Sequence, residues 1–118
     1  MLSQAVAMAL SIPYEKGQQR VAAILVDRKG RVIARAVNSY NKTHPLQKQW
    51  ATEAEANEHK ASIHAEIGCL IKSLRSKSIP HKIYVARVGK NGQQLPSFPC
   101  KTCQHALRKM GVVEIENT

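Results

Sequence analysis

Long apolar runs are missing from this 118-residue chain, and none approaches the roughly 18 residues that mark a membrane-spanning helix. The apolar start, Met1 to Leu10, has no basic residue ahead of it, so a first helix is expected there rather than a secretory leader. A soluble, cytoplasmic protein with no membrane partner is the expectation. Aromatic residues are scarce at 4%, namely Tyr14, Tyr40, Trp50, Tyr84 and Phe98. That is thin for a protein that holds single strands by stacking base after base. Acidic residues are few, 8 against 18 Lys plus Arg, which leaves a formal charge of +10. Such an excess suits an anionic partner or plain solubility, and the basic residues are scattered rather than clustered. Three cysteines, two of them three residues apart, cannot form a disulfide framework and read instead as a metal or redox pair.

What is present is a globular composition, 43% apolar and 22% charged, which excludes intrinsic disorder. The length predicts one domain over residues 1–118, able to bury roughly two-thirds of its unfolded surface. Apolar spacing predicts a helix from Ser3 to Leu10, ending before Pro13. Val21–Val26 and Val32–Val37 are short apolar runs joined by Asp27-Arg28-Lys29-Gly30, the pattern of a β-hairpin. The first run is apolar on both faces, so its sheet should be covered on both sides. Residues 38–59 form a polar stretch, with one or two helical turns expected over Ala51–His59. An amphipathic helix carries Ile63, Ile67, Leu70, Ile71 and Leu74 on one face. Ile83–Val88 is a third strand, Pro99 opens another helix closed by Gly111, and Val112–Ile115 is a last strand. The order predicts an α/β fold in three layers.

His64, Cys100 and Cys103 are the candidate metal ligands. Two thiolates three apart at a helix start can grip one ion, and sulfur plus imidazole suits Zn²⁺ with a fourth position open to water. Glu66 lies two residues beyond His64, and side chains two apart on a regular helix diverge. Both can serve one site only over the helix N-terminus, where a carboxylate could move protons. A structural zinc site lacking one ligand, or an unused thiol pair, is the bland alternative. Each half of the constellation, however, begins a predicted helix after a predicted loop. His64-Ala65-Glu66 with Pro99-Cys100-Lys101-Thr102-Cys103 reproduces the His-x-Glu … Pro-Cys-x-x-Cys signature of zinc nucleobase deaminases.

On these motifs the sequence resembles the cytidine/deoxycytidylate deaminase superfamily, from the hairpin to the last strand. Asn41-Lys42-Thr43-His44-Pro45 and the His-Ala-Glu-Ile core are similar to short deaminases of bacteriophages, which would place the protein in a host cytoplasm. The resemblance implies a three-layer α/β/α cytidine-deaminase-like fold with a central mixed sheet of about four to five strands. It implies one Zn²⁺ per chain on His64, Cys100 and Cys103, with Glu66 as the catalytic proton shuttle. The implied reaction is hydrolytic: zinc-activated water attacks C4 of cytosine, Glu66 protonates the ring nitrogen, and ammonia leaves. Asn38, at the end of the second strand, would contact substrate sugar or base, and the Ala65 N–H would help hold the base. A turn role for Asn38 is the structural alternative.

Phe98 and Tyr40 are placed to stack on a base, and either could equally be packing. Cys69 is expected to be a small buried residue; His44 and His59 could touch a phosphate or the metal, but polar loop histidines are usually solvated. Fifteen residues follow Cys103, whereas larger family members continue into a further strand whose direction separates their branches. A short sheet edge calls for cover, and homo-oligomerisation is expected to supply it. Two substrate classes remain: a free cytosine nucleoside or nucleotide, with Lys42 or Arg87 near a phosphate, and cytosine or adenine in single-stranded DNA or RNA. Sparse aromatics and scattered charge favour the first.

Overall fold

The apolar run that begins at Val21 sets the architecture. In a computed structural model, which describes residues 1–55 and 62–118, it becomes β1 (Arg20–Val26), buried along nearly its whole length. Alternate side chains face opposite layers, as strand geometry requires. Ala22, Ile24 and Val26 pack toward α1 (Leu2–Leu10), which buries Ala5 and Ala9. Ala23 and Leu25 belong to the larger core on the other face, with Ile67, Leu70, Val85 and Leu107. The expectation of a sheet covered on both sides is met.

β1 pairs antiparallel with β2 (Val32–Val37), with Ala23 opposite Ala36. The hairpin turn is closed by Asp27, whose Oδ1 accepts from the Lys29 and Arg31 N–H groups at 2.9 Å each. Gly30 supplies the left-handed conformation there, at φ +81°.

β3 (Ser39–Thr43) follows at once and later pairs with the two-residue β4 (Ser62–Ile63). It is a polar strand with no apolar alternation, so the sequence pattern gave it no signal. Between them, α2 runs from Pro45 to Glu53, about six residues earlier than the helix expected over 51–59. Pro45 stands at the first helical position, where its missing N–H costs nothing. His44 precedes it as the N-cap, its Nδ1 accepting the Leu46 N–H at 3.1 Å. His44 is therefore a helix cap, not a solvated loop residue. The rest of the expected helix, with Glu58 and His59, lies outside the described residues.

α3 (Ala65–Ser76) packs across β1 and β2 and leads to β5 (Lys82–Val88), which pairs antiparallel with β1. The far edge of β5 is shared. β6 (Gln94–Leu95) runs antiparallel beside Arg87 and Val88, and β7 (Glu114–Asn117) runs parallel beside Lys82–Val85. The central five-stranded sheet is therefore mixed. α4 (Lys101–Lys109) ends as the glycine predicted: Gly111 at φ +92° lets its own N–H reach the Arg108 carbonyl and the Val112 N–H reach Leu107. That closure takes up Val112 and Val113, so the last strand starts at Glu114 rather than Val112. No helix among the described residues is long and apolar enough to cross a membrane.

α2 is tied to α4 by one polar cluster. Glu53 accepts from His105 Nε2 and Lys109 Nζ, both at 2.8 Å, and from Gln49 at 3.0 Å. Lys109 first, then His105 and Gln49, hold the Glu53 carboxyl down to about 2 from an ordinary 4.5. A carboxylate depressed in the folded state stabilises it above its unfolded pKa and loses that effect as pH falls through its folded value. Glu53→Gln should therefore melt below the parent near neutral pH, and the gap should close between pH of about 5 and about 2. Thermal melts across that range check it.

Candidate active site

The chemistry-bearing side chains come from the starts of two helices. His64 is the N-cap of α3, with extended backbone at φ −74° and ψ 154°, and Cys100 is the N-cap of α4, at φ −67° and ψ 173°. Neither side chain makes a capping hydrogen bond. They turn instead toward each other and toward Cys103, in the first turn of α4. His64 Nδ1 lies 3.6 Å from Cys100 Sγ and 3.4 Å from Cys103 Sγ. All three ligand atoms fall within 4.8 Å of one another.

These distances fit a metal. In a zinc tetrahedron with Zn–S of about 2.3 Å and Zn–N of about 2.0 Å, sulfur and nitrogen stand about 3.5 Å apart. The two His–Cys distances sit at that value, and one imidazole with two thiolates is a donor set suited to Zn²⁺. Three protein ligands among the described residues leave a fourth position for water, the arrangement of a catalytic rather than a closed structural site.

The thiols are unequal. Cys100 is pulled down to about 3, chiefly by the hydrogen bond from Cys103 and further by His64. Cys103 is pushed up by that same bond and by burial. A metal held there would take both sulfurs as thiolates and displace their protons.

Glu66, in the first turn of α3, is 6% exposed. Its convergence with His64 was expected only if the site lay over the helix N-terminus, and it does. Burial is the largest influence on its carboxyl and raises it, partly offset by bonds from the backbone and from the Cys103 thiol. A neighbouring metal cation would oppose that rise.

Above these residues opens a cleft of about 330 Å³, whose walls include Asn38, Tyr40, Ala65, Glu66, Arg87 and Phe98. The base and sugar candidates Asn38, Tyr40, Ala65 and Phe98 all line it. Phe98 is 58% exposed at the rim. The Tyr40 hydroxyl accepts the Gln19 N–H at 2.7 Å, which fixes the ring as part of the wall. The Asn38 amide bridges to β1, its Oδ1 accepting from Val21 N–H and its Nδ2 donating to the Gln19 carbonyl, both at 3.0 Å. Asn38 stands between β2 and β3 with no turn at that point, and its side chain braces the strand end while lining the wall. Arg87 lines the cleft, whereas Lys42 is exposed on β3 and is not among the lining residues.

Gln19, Ser39 and Ser97 also line the cleft and were not singled out from the sequence. They come from loop and strand ends with no motif to mark them. Cys69 stays apart from the metal group: its thiol is fully buried, donates to the Ala23 carbonyl at 3.3 Å, and is pushed up to about 12 by burial.

An α/β/α sheet carrying a His-Cys-Cys metal group and a buried glutamate at two helix starts defines a zinc-dependent nucleobase deaminase. The chain belongs to the cytidine and deoxycytidylate deaminase family, whose zinc-binding region matches residues 1–116. Hydrolytic deamination of a cytosine-type substrate is the reaction class of that family. Among solved structures the fold is similar to cytidine deaminase from Mycobacterium tuberculosis, at 20% identity, covering 100% of this chain and 80% of that one with a TM-score of 0.58. It is likewise similar to cytidine deaminase from Mycobacterium leprae, at 21% identity, covering 94% and 77% with a TM-score of 0.58. No curated protein sequence matches the chain.

Protein purified without chelators should carry about one zinc ion per chain, the stoichiometry of a three-ligand site with one open position. Cys100→Ala should lose the metal by elemental analysis and melt lower, because ligand convergence couples metal binding to the meeting of α3 and α4. Full zinc retention in that variant would contradict the ligand assignment.

Proposed function

We propose that this protein deaminates the cytosine base of a free nucleoside or nucleotide, giving uracil and ammonia, with Glu66 as the proton carrier. The observation that carries the reading is the placement of a buried carboxyl beside the His64-Cys100-Cys103 group at the floor of a small cleft. Zinc held by His64, Cys100 and Cys103 would acidify a water to a pKa of about 7 and so provide a nucleophile at neutral pH. Glu66 takes a proton from that water and delivers it to N3 of the ring. Once the C4–O bond has formed, the same carboxyl takes the proton of the new C4 hydroxyl and passes it to the exocyclic amine; the C4–N bond then breaks, the C4 carbonyl of the uracil ring forms, and ammonia leaves. Burial of Glu66 keeps bulk water from competing for those transfers.

Asn38, Ala65, Tyr40 and Phe98 serve as the base and sugar pocket in this reading. The cleft sits near the lower end of the roughly 300–1,000 Å³ typical of small-molecule sites, room for one nucleoside unit. Arg87 is half-buried in its wall and, among the described lining residues, is the cation available to a substrate phosphate. One guanidinium suits a mononucleotide, whereas a strand needs a track of cations.

Glu66→Ala should keep its zinc and lose turnover toward the upper end of the roughly 10²–10⁴-fold that general acid–base groups contribute, since one residue serves several transfers. Near-normal uracil formation by zinc-loaded Glu66→Ala would contradict the assignment. Arg87→Ala should raise KM for dCMP about 10- to 100-fold, matching a charged hydrogen bond of roughly 1.5–3 kcal/mol, and leave deoxycytidine almost unchanged. The formal charge of +10 favours a second reading, deamination within single-stranded nucleic acid. Activity on oligonucleotides alone, with log K falling about 0.7 per phosphate contact per log unit of salt, would establish that reading in place of the first.

A further inference from the structure

His64 occupies a position that helices normally give to Ser, Thr, Asp or Asn, and its imidazole makes no cap bond. In a capping box the residue three positions on reaches back to the N–H of the N-cap. Here that residue is Ile67, which has nothing to offer. The acceptor comes from another element: Gln47, on α2, places Oε1 3.3 Å from the His64 backbone N. Gln47 is a polar side chain only 1% exposed, in a helix that otherwise buries Trp50 and Ala51. Its backbone is fixed one turn into α2, with its N–H donated to the His44 carbonyl at 3.0 Å. The far end of α2 is anchored on α4 through Glu53.

We propose that Gln47 is a positioning residue for the metal centre, setting the backbone orientation of His64 so that Nδ1 meets both cysteine sulfurs. The inference rests on the reading of His64 as a zinc ligand. The peptide before residue 64 determines where its Cβ points. A small rotation of that peptide moves the imidazole away from sulfurs that lie 3.4 and 3.6 Å from Nδ1. Gln47 holds that peptide from a helix outside both ligand-bearing elements, so it braces the site without touching the metal or the cleft.

The test is a zinc-competition titration of the purified holoprotein against a chromogenic chelator, with melting curves alongside. Gln47→Met keeps the side-chain volume and removes the acceptor. It should weaken zinc binding about 10- to 100-fold, the range seen when outer partners of metal ligands are removed. Gln47→Glu keeps an oxygen at the same reach and should recover most of that loss. Glu53→Gln, which loosens α2 at its other end, should lower the melting temperature while leaving zinc affinity within about threefold of the parent, a change of under 1 kcal/mol. Equal losses in Gln47→Met and Gln47→Glu would overturn the proposal, as would parental affinity in Gln47→Met. A loss in Glu53→Gln matching that of Gln47→Met would also overturn it, by assigning the effect to general loosening. Should Gln47→Met not fold, Gln47→Asn draws the oxygen back by one methylene and must show the same loss. A parent protein without zinc would instead refute the ligand reading itself.

Discussion

Two helices must begin at the same point in space, and the rest of the structure is arranged around that requirement. The starts of α3 and α4 bring the positive ends of two helix dipoles together, an environment that favours thiolates and a carboxylate. The arrangement costs stability. His64 and Cys100 occupy both N-cap positions without capping, a sacrifice of about 1 kcal/mol at each. Thr102, between the two cysteines, is fully buried, and its hydroxyl has no hydrogen-bond partner among the described residues. A metal ion that ties the three ligands together offsets such local losses, because binding energy at a site absent from the unfolded chain is folding energy.

The sheet gives this junction its rigidity. β1 is sealed by α1 on one face and by α3 and α4 on the other, so the platform beneath the ligands is dry and close-packed. α3 lies deep on β2, because Gly68 faces the strand where a Cβ would come within 3.0 Å of the Ala36 Cβ. The same closeness brings Cys69 onto the backbone carbonyls of the hairpin and leaves it inert. α2 completes the frame, bonded to the start of α3 through Gln47 and to α4 through Glu53. α2, which carries no metal ligand itself, thereby connects the two helices whose starts do.

Much of this was legible in the residues. β1 announced itself by an apolar run, and α3 by its periodic stripe. The metal group and Glu66 were legible as one combined signature, His-x-Glu with Pro-Cys-x-x-Cys, whose roles came from its resemblance to zinc nucleobase deaminases. The segment from Ser39 to Glu53 was harder to read, for physical reasons. β3 is a polar strand whose partner is a two-residue strand far along the chain, so no local pattern records it. The start of α2 depends on a histidine cap and an N1 proline, and Pro45 alone reads equally as an ending. Gln47 was invisible because its bond to His64 reaches a backbone amide seventeen residues away. Neither composition nor periodicity encodes such a contact.

The central claim is that His64, Cys100, Cys103 and Glu66 act together on the C4 position of a cytosine ring. The most direct test is the affinity of the zinc-loaded protein for a nucleoside analogue whose C4 is already tetrahedral and carries a hydroxyl. A site built for the addition step should bind it at least about 10²-fold more tightly than the substrate of matching sugar and phosphate. Binding no tighter than that substrate would contradict the account.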